Sequence, residues 1–103
     1  MQTQLADFVL RITFKGDLLS TNVATRRTEL LVHLDNAPTA TTVIADLSNA
    51  KVVDSQGLNL LIALLRETER RKLKFRVENP NPEIRRMFTL LNLNARFGLV
   101  TPV

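Results

Sequence analysis

Apolar and polar positions alternate along Phe8-Val9-Leu10-Arg11-Ile12-Thr13-Phe14, with Phe8, Leu10, Ile12 and Phe14 on one face. A period of two in strand-forming residues predicts an opening β-strand. Lys15-Gly16-Asp17 supplies turn chemistry, after which Leu18-Leu19 either forms a short second strand or bends directly toward a helix. Ser20, Thr21 or Asn22 can cap a helix running to about Asp35, in which Val23, Arg27, Leu30, Leu31 and Leu34 recur at near-helical spacing. Asp35-Asn36-Ala37-Pro38 closes it. Thr41 to Leu47 is a short β-branched and apolar run, which predicts a fully buried central strand.

A second apolar stretch, Val52-Val53, leads through Asp54-Ser55-Gln56-Gly57 into a helix that begins with Leu58, Leu60, Leu61, Ile62, Leu64 and Leu65 and turns charged from Arg66 to Lys72. Its first half should be buried against the sheet while its second half leaves the core, with Glu67 and Arg71 paired at i,i+4. Lys74 to Glu78 alternates and reads as the next strand, closed by Asn79-Pro80-Asn81-Pro82. Asn81 can cap a final helix with Pro82 at its first position, and Ile84, Met87, Phe88 and Leu91 form its buried stripe. Leu93, Phe97, Leu99 and Val100 supply a terminal apolar segment, read as a last short strand. The alternation of strand and helix places the chain in the α/β class with a largely parallel sheet, since parallel strands need such crossovers.

The polar hinge at Asp54-Ser55 joins an apolar strand to an apolar helix. Asp and Ser are residue types that cap helix N-termini, because their side-chain oxygens accept bonds from the orphan N–H groups of the first turn. Ser55 therefore has two readings, a simple cap or an exposed hydroxyl that serves as a covalent switch. A phosphate there would gain from the helix dipole and suffer repulsion from Asp54, adding about −1.5 to −2 charge to the surface. Gly57 costs helix propensity in the first turn, which points to close approach of another backbone or of a partner. Asp46, at the C-terminal end of the central strand, lies where functional groups gather in open α/β sheets; it serves either as a loop-capping carboxylate bonding Ser48 or Asn49 or in partner contact.

Composition narrows the function classes. The 103 residues suffice for one domain, and 45% hydrophobic with 23% charged residues is ordinary for a globular protein. With no cysteine and one histidine, thiolate metal sites and disulfides are excluded and no cofactor is expected. His33, in the last turn of the first helix, reads as a surface residue; no spacing supports a nucleophile–histidine–acid arrangement with Ser55, so the chain is not read as an enzyme. The glycines stand at 16, 57 and 98, too far apart for a phosphate-binding loop. No apolar run is long enough to span a bilayer, and Met1 to Phe8 lacks the pattern of a signal peptide, so the default location is the cytoplasm. A net charge of +4 favours acidic partners. Nucleic acid is a weaker reading, because Arg26-Arg27, Arg70-Arg71-Lys72 and Arg85-Arg86 are scattered and both Tyr and Trp are absent.

The run Asp46-Leu47-Ser48, then Val52-Val53-Asp54-Ser55-Gln56-Gly57-Leu58, then Leu60 to Leu65, resembles the STAS domain of anti-sigma-factor antagonists and sulfate-transporter tails. Gly16, Asn79-Pro80 and Leu91-Asn92-Leu93 also fall in family-like places, so the resemblance covers about Phe8 to Val100. It implies a mixed, mostly parallel sheet with helices mainly on one side, in a single domain over residues 1–103. It further implies that Ser55 is the phosphoacceptor of an anti-sigma factor kinase, that a phosphoserine phosphatase reverses the mark, and that Asp54, Gln56, Gly57 and Leu58 frame the docking site, with ATP and Mg²⁺ belonging to the kinase. Relatives commonly carry an acidic residue where this chain has Leu19, so the resemblance does not carry that acidic contact over to this chain. Two other employments of the family bear on the reading. A transporter tail is disfavoured by the lack of a preceding membrane segment, whereas a non-switching subunit of a lipid-transport ATPase complex, or a dimeric module, stays open.

Overall fold

The computed structural model describes residues 2–99. Four strands and three helices follow in the order β1 (Gln2–Ala6), β2 (Val9–Thr13), α1 (Val23–Asp35), β3 (Thr42–Asp46), α2 (Ser55–Arg70), β4 (Lys74–Glu78) and α3 (Pro82–Leu90). The sheet order is β1-β2-β3-β4, with β1 antiparallel to β2 and the other pairs parallel. This is the mixed, mostly parallel sheet anticipated above. Leu10 and Ile12 of β2, Val43 and Ala45 of β3 and Val77 of β4 share one face and join the core with Leu30 and Leu34 of α1, Leu60, Leu61, Leu64 and Leu65 of α2, and Ile84 and Phe88 of α3.

The opposite face is held by charge. Arg11, Ile44 and Arg76 lie side by side in register, and Ile44 is buried to 2% exposure outside the main core. Around it Arg11 pairs with Asp46 at 2.9 Å and with Glu78 at 2.7 Å, while Arg76 pairs with Glu78 at 2.8 Å. Long arginine stems cover apolar surface while their heads stay paired.

Three expectations need correction. The first strand of the sheet is β1, which no alternation announced, since all five of its residues are exposed. It is held by pairing with β2 through a two-residue turn at Asp7 and Phe8, both with left-handed φ (52° and 66°), the backbone that favours tight hairpins. Phe8 is therefore a turn residue, 62% exposed, and not part of the core face. Leu91 is likewise 50% exposed, because α3 ends at Leu90 and Asn92 turns left-handed (φ 57°), as residues just past a helix C-terminus often do. Leu93 and Phe97 are buried in its place. The terminal segment up to Leu99 forms turns and not a strand, although the Val77 N–H donates to the Phe97 carbonyl at 2.8 Å and so covers the β4 edge. Val100 lies outside the described residues.

Candidate functional site

The C-terminal ends of β2 and β3 deliver two loops to the same place. Leu18 and Val53 form an isolated parallel bridge, with the Leu18 N–H donating to the Val52 carbonyl at 3.0 Å and the Asp54 N–H to the Leu18 carbonyl at 3.1 Å. Leu18-Leu19 thus bends toward α1 after a single bridge. Two carboxylates then tie the loops in both directions. Asp17 Oδ1 accepts from the N–H groups of Lys51 (2.7 Å) and Val52 (3.0 Å), and Asp54 Oδ2 accepts from the Ser20 N–H (2.8 Å).

Asp54 also caps α2, its Oδ1 accepting from the Gly57 N–H at 2.8 Å. Ser55 is consequently the first residue of the helix and is exposed, and among the described residues its hydroxyl has no hydrogen-bond partner. The reading of Ser55 as the cap gives way to Asp54, because a helix start needs one such acceptor and Asp54 already provides it. Gln56 is exposed, and Leu58 is half-buried against the core. Gly57 is buried, and a Cβ built there would stand 2.1 Å from the Leu18 carbonyl oxygen. The glycine signal thus reports the approach of another backbone, and Gly57 holds the frame instead of presenting a surface. Val52 is 48% exposed. Beside it a cleft of about 210 Å³ opens between Lys51–Val53 and the α3 residues Glu83, Ile84 and Met87.

Asp46 stands apart from this cluster. It is 8% exposed at the end of β3 and accepts from the Ser48 N–H (2.9 Å), Arg11 (2.9 Å) and Asn79 (3.2 Å). The loop-capping role is therefore present, with its oxygens directed at the protein's own groups. Asp17, Ser20 and Asn81, whose amide donates to the Lys51 carbonyl at 2.9 Å, complete the frame; the sequence offered Asp17 as turn chemistry and Ser20 and Asn81 as helix caps, and none of the three as part of this site. Leu19, half-buried, occupies the position where an acidic residue would be expected. His33 sits eleven residues along α1 from Asn22, roughly 16 Å along the helix axis, which keeps it away from Ser55. Among the described residues no group of His, Cys, Asp or Glu could hold a metal ion, and no helix is long and apolar enough to cross a membrane.

The frame depends on ionised carboxylates. Hydrogen bonds from the Val52 and Lys51 N–H groups hold Asp17 below the ordinary carboxylate range, and those from Gly57 and Ser20 do the same for Asp54. For Asp46, burial pushes upward and is outweighed by the bonds from Ser48, Asn79 and Arg11, so its value falls. Arg11 and Arg76 lower Glu78, while Arg70 and Arg71 lower Glu67 to about 2. A carboxylate whose folded value is depressed stabilises the fold fully above its unfolded value and loses that contribution as pH falls through the folded one. The melting temperature should therefore hold steady above about pH 5 and drop progressively below about pH 4, where unfolded Asp and Glu begin to take up protons. Calorimetric melts from pH 7 to pH 2 would check this; a melting temperature that rises on acidification would contradict it.

The STAS domain model matches residues 1–102. The chain belongs to the STAS family. Its fold is similar to that of a Thermotoga maritima protein assigned as an anti-sigma factor antagonist (19% identity, 91% of this chain and 80% of that one, TM-score 0.82). It is also similar to an anti-sigma factor antagonist from Mycobacterium paratuberculosis (21%, 99% and 85%, 0.76) and to the Bacillus cell fate determinant SpoIIAA in its phosphorylated form (23%, 97% and 90%, 0.72). At these identities the likeness is one of fold. Comparison with curated protein sequences found no match. Within the STAS fold of this chain, Asp54–Leu58 is the cap and first turn of α2, where the exposed Ser55 hydroxyl stands beside the exposed Gln56.

Proposed function

We propose that this STAS domain is a cytoplasmic, non-enzymatic regulator of the anti-sigma-factor-antagonist type, which binds an anti-sigma factor kinase and is released by phosphorylation of Ser55. The observation that carries the reading is the Ser55 hydroxyl, exposed and unbonded at the first residue of α2 while Asp54 does the capping. The partner's ATP supplies the γ-phosphoryl group. The Ser55 hydroxyl loses its proton as its oxygen bonds to phosphorus and ADP departs, and a phosphatase later returns the serine by hydrolysis. Because no fold-holding bond among the described residues uses the hydroxyl, the mark leaves the fold intact. It places a dianion beside the Asp54 carboxylate and next to the exposed Gln56, in the frame of Asp54, Gln56 and Leu58, where a loss of about 1.4 kcal/mol weakens binding tenfold. Gly57 supports this face by letting the two loops meet, Asp46 secures the neighbouring loop after β3 through Ser48 and Asn79, and the cleft beside Val52 offers a foothold of mixed polar and apolar character. Likeness of fold to SpoIIAA, solved in its phosphorylated form, supports the same reading.

The test uses wild type, Ser55→Ala and Ser55→Asp as parallel baits in extract of the source cell, followed by mass spectrometry of partners and phosphosites. Wild type and Ser55→Ala should retain a kinase-like ATPase, Ser55→Asp should retain at least tenfold less, and phosphate should appear on Ser55 of wild type. Equal recovery by wild type and Ser55→Asp, with Ser55 unmodified, would sink the switch; a transport ATPase recovered in that pattern would place the chain as a static subunit.

A further inference from the structure

The two edges of the sheet are treated differently. At β4 the Phe97 carbonyl takes the Val77 N–H and Gly98 lies against Arg76. At β1 no hydrogen bond from elsewhere among the described residues reaches the outer side of the strand. Natural edge strands are ordinarily guarded by charge, proline or a bulge. β1, Gln2-Thr3-Gln4-Leu5-Ala6, has none of these, and its pairing with β2 is continuous from Gln2↔Thr13 to Ala6↔Val9.

The outward groups follow from the register. A two-residue hairpin turn makes Ala6 and Val9 a hydrogen-bonded pair, and antiparallel pairs alternate, so Gln4↔Arg11 and Gln2↔Thr13 are bonded pairs as well. The N–H and C=O groups of Thr3 and Leu5 therefore point away from β2. We propose that β1 is a self-pairing edge that joins a second copy of this chain in antiparallel register about a two-fold axis at Gln4. In that register Thr3 faces Leu5 of the second copy and Leu5 faces its Thr3, giving four backbone hydrogen bonds. An axis at Leu5 would bring Thr3 opposite Asp7, whose left-handed turn backbone cannot extend the ladder. An axis at Thr3 leaves only the Thr3 pair within the described strand. Gln4 alone sits on the axis, where two side-chain amides can donate to and accept from each other.

Self-complementarity selects a second copy as the occupant. About the Gln4 axis every outward N–H and C=O of Thr3 and Leu5 meets its complement on the same strand of the second copy, and although each chain carries +4, the five residues of β1 have no ionisable group to oppose the approach. Leu5, 45% exposed, gains cover from the partner's Thr3 on the helix-side face. The Ser55 face lies on different loops and stays open, so the dimer does not rest on the switching role.

The experiment is sedimentation equilibrium on the whole chain up to about 0.5 mM, since a five-residue edge buries less than the roughly 800 Å² per partner of a standard stable complex. Wild type should approach twice the 11.6 kDa of one chain. Gln4→Lys and Gln4→Glu should each sediment as monomers with unchanged circular dichroism, and an equimolar mixture of the two should recover the dimer. Thr3→Pro, which removes only an outward N–H, should be monomeric and folded. Register is read by oxidation. In the cysteine-free background Gln4→Cys should crosslink at least tenfold faster than Thr3→Cys, because a non-hydrogen-bonded pair stands about 4.5 Å apart at Cα, within disulfide range. The Thr3 positions are offset diagonally by about 7–8 Å. A wild type that stays monomeric at 0.5 mM, dimers retained by folded Gln4→Lys, or equal crosslinking of the two cysteine variants would each overturn the proposal.

Discussion

Gly57→Ala should destabilise the domain by about 3 kcal/mol, near the upper end of the cost of overpacking a well-filled site. Inside a helix the same change ordinarily gains about 1 kcal/mol, because alanine is the better helix former. Here geometry reverses the sign. The added methyl would stand 2.1 Å from the Leu18 carbonyl oxygen and 2.8 Å from the Leu18 carbonyl carbon. Those are backbone atoms, and they cannot swing aside as the end of a flexible side chain would. The carbonyl in question also accepts the Asp54 N–H, so relief of the clash must lengthen the bridge that holds the capping residue. Calorimetry should show the melting temperature falling by about 12–24 °C, at some 4–8 °C per kcal/mol for a domain of this size. A melting temperature equal to or above that of wild type would mean that the two loops are not in contact. Since Ser55 follows directly on the displaced residue, Gly57→Ala should also weaken partner binding in the fraction that remains folded, whereas Ser55→Ala should change neither the fold nor its stability.

How much of this was legible beforehand depends on the range of the interaction. The α2 segment was readable because three local signals agree: the Asp54 cap, the leucine run and the charged last turns, where Glu67 does bond Arg71 at 2.8 Å. The Asn81-Pro82 start of α3 was readable for the same reason, and the Asn81 side chain accepts from the Ile84 N–H at 2.8 Å. β1 was not, because Gln2-Thr3-Gln4-Leu5-Ala6 is exposed on both faces and its strand conformation comes only from its neighbour. Phe8 continues the apolar alternation of β2 by arithmetic, yet the hairpin claims it for a turn. At the candidate site, the residues around Ser55 were visible as a motif, while the ties that shape them were hidden. Asp17 reaches Lys51 and Val52 across 34 and 35 residues, and Asp54 reaches Ser20 across 34. Such bonds follow from the parallel order of β2 and β3, which no local pattern encodes. Gly57 is intermediate: its cost in the first turn of a helix signalled a close approach, and only the fold shows that Leu18 makes it.

Phe97→Ala should cost about 4 kcal/mol, in the range of buried aromatic truncations, and its consequence should extend beyond stability. Phe97 is fully buried, its ring edge-on to Phe88 at 4.9 Å between centroids and to Phe75 at 6.1 Å. Such ring pairs each add about 0.5–1.5 kcal/mol beyond the area they bury. The backbone of the same residue accepts the Val77 N–H, so Phe97 is the point at which an otherwise irregular segment is fastened along β4. Without the ring, the 91–99 segment loses its anchor in the core and β4 becomes a second unguarded edge. A sheet with both edges open has no reason to stop at pairs, because each copy can add a neighbour on either side. Phe97→Ala should therefore melt far below wild type and form larger species near its melting temperature. Phe97→Leu, which keeps a bulky apolar anchor, should lose less than half as much and remain free of them. Light scattering during the melt distinguishes the outcomes. Clear, reversible unfolding of Phe97→Ala with only a small drop in melting temperature would show that the terminal segment neither fills the core nor protects the β4 edge.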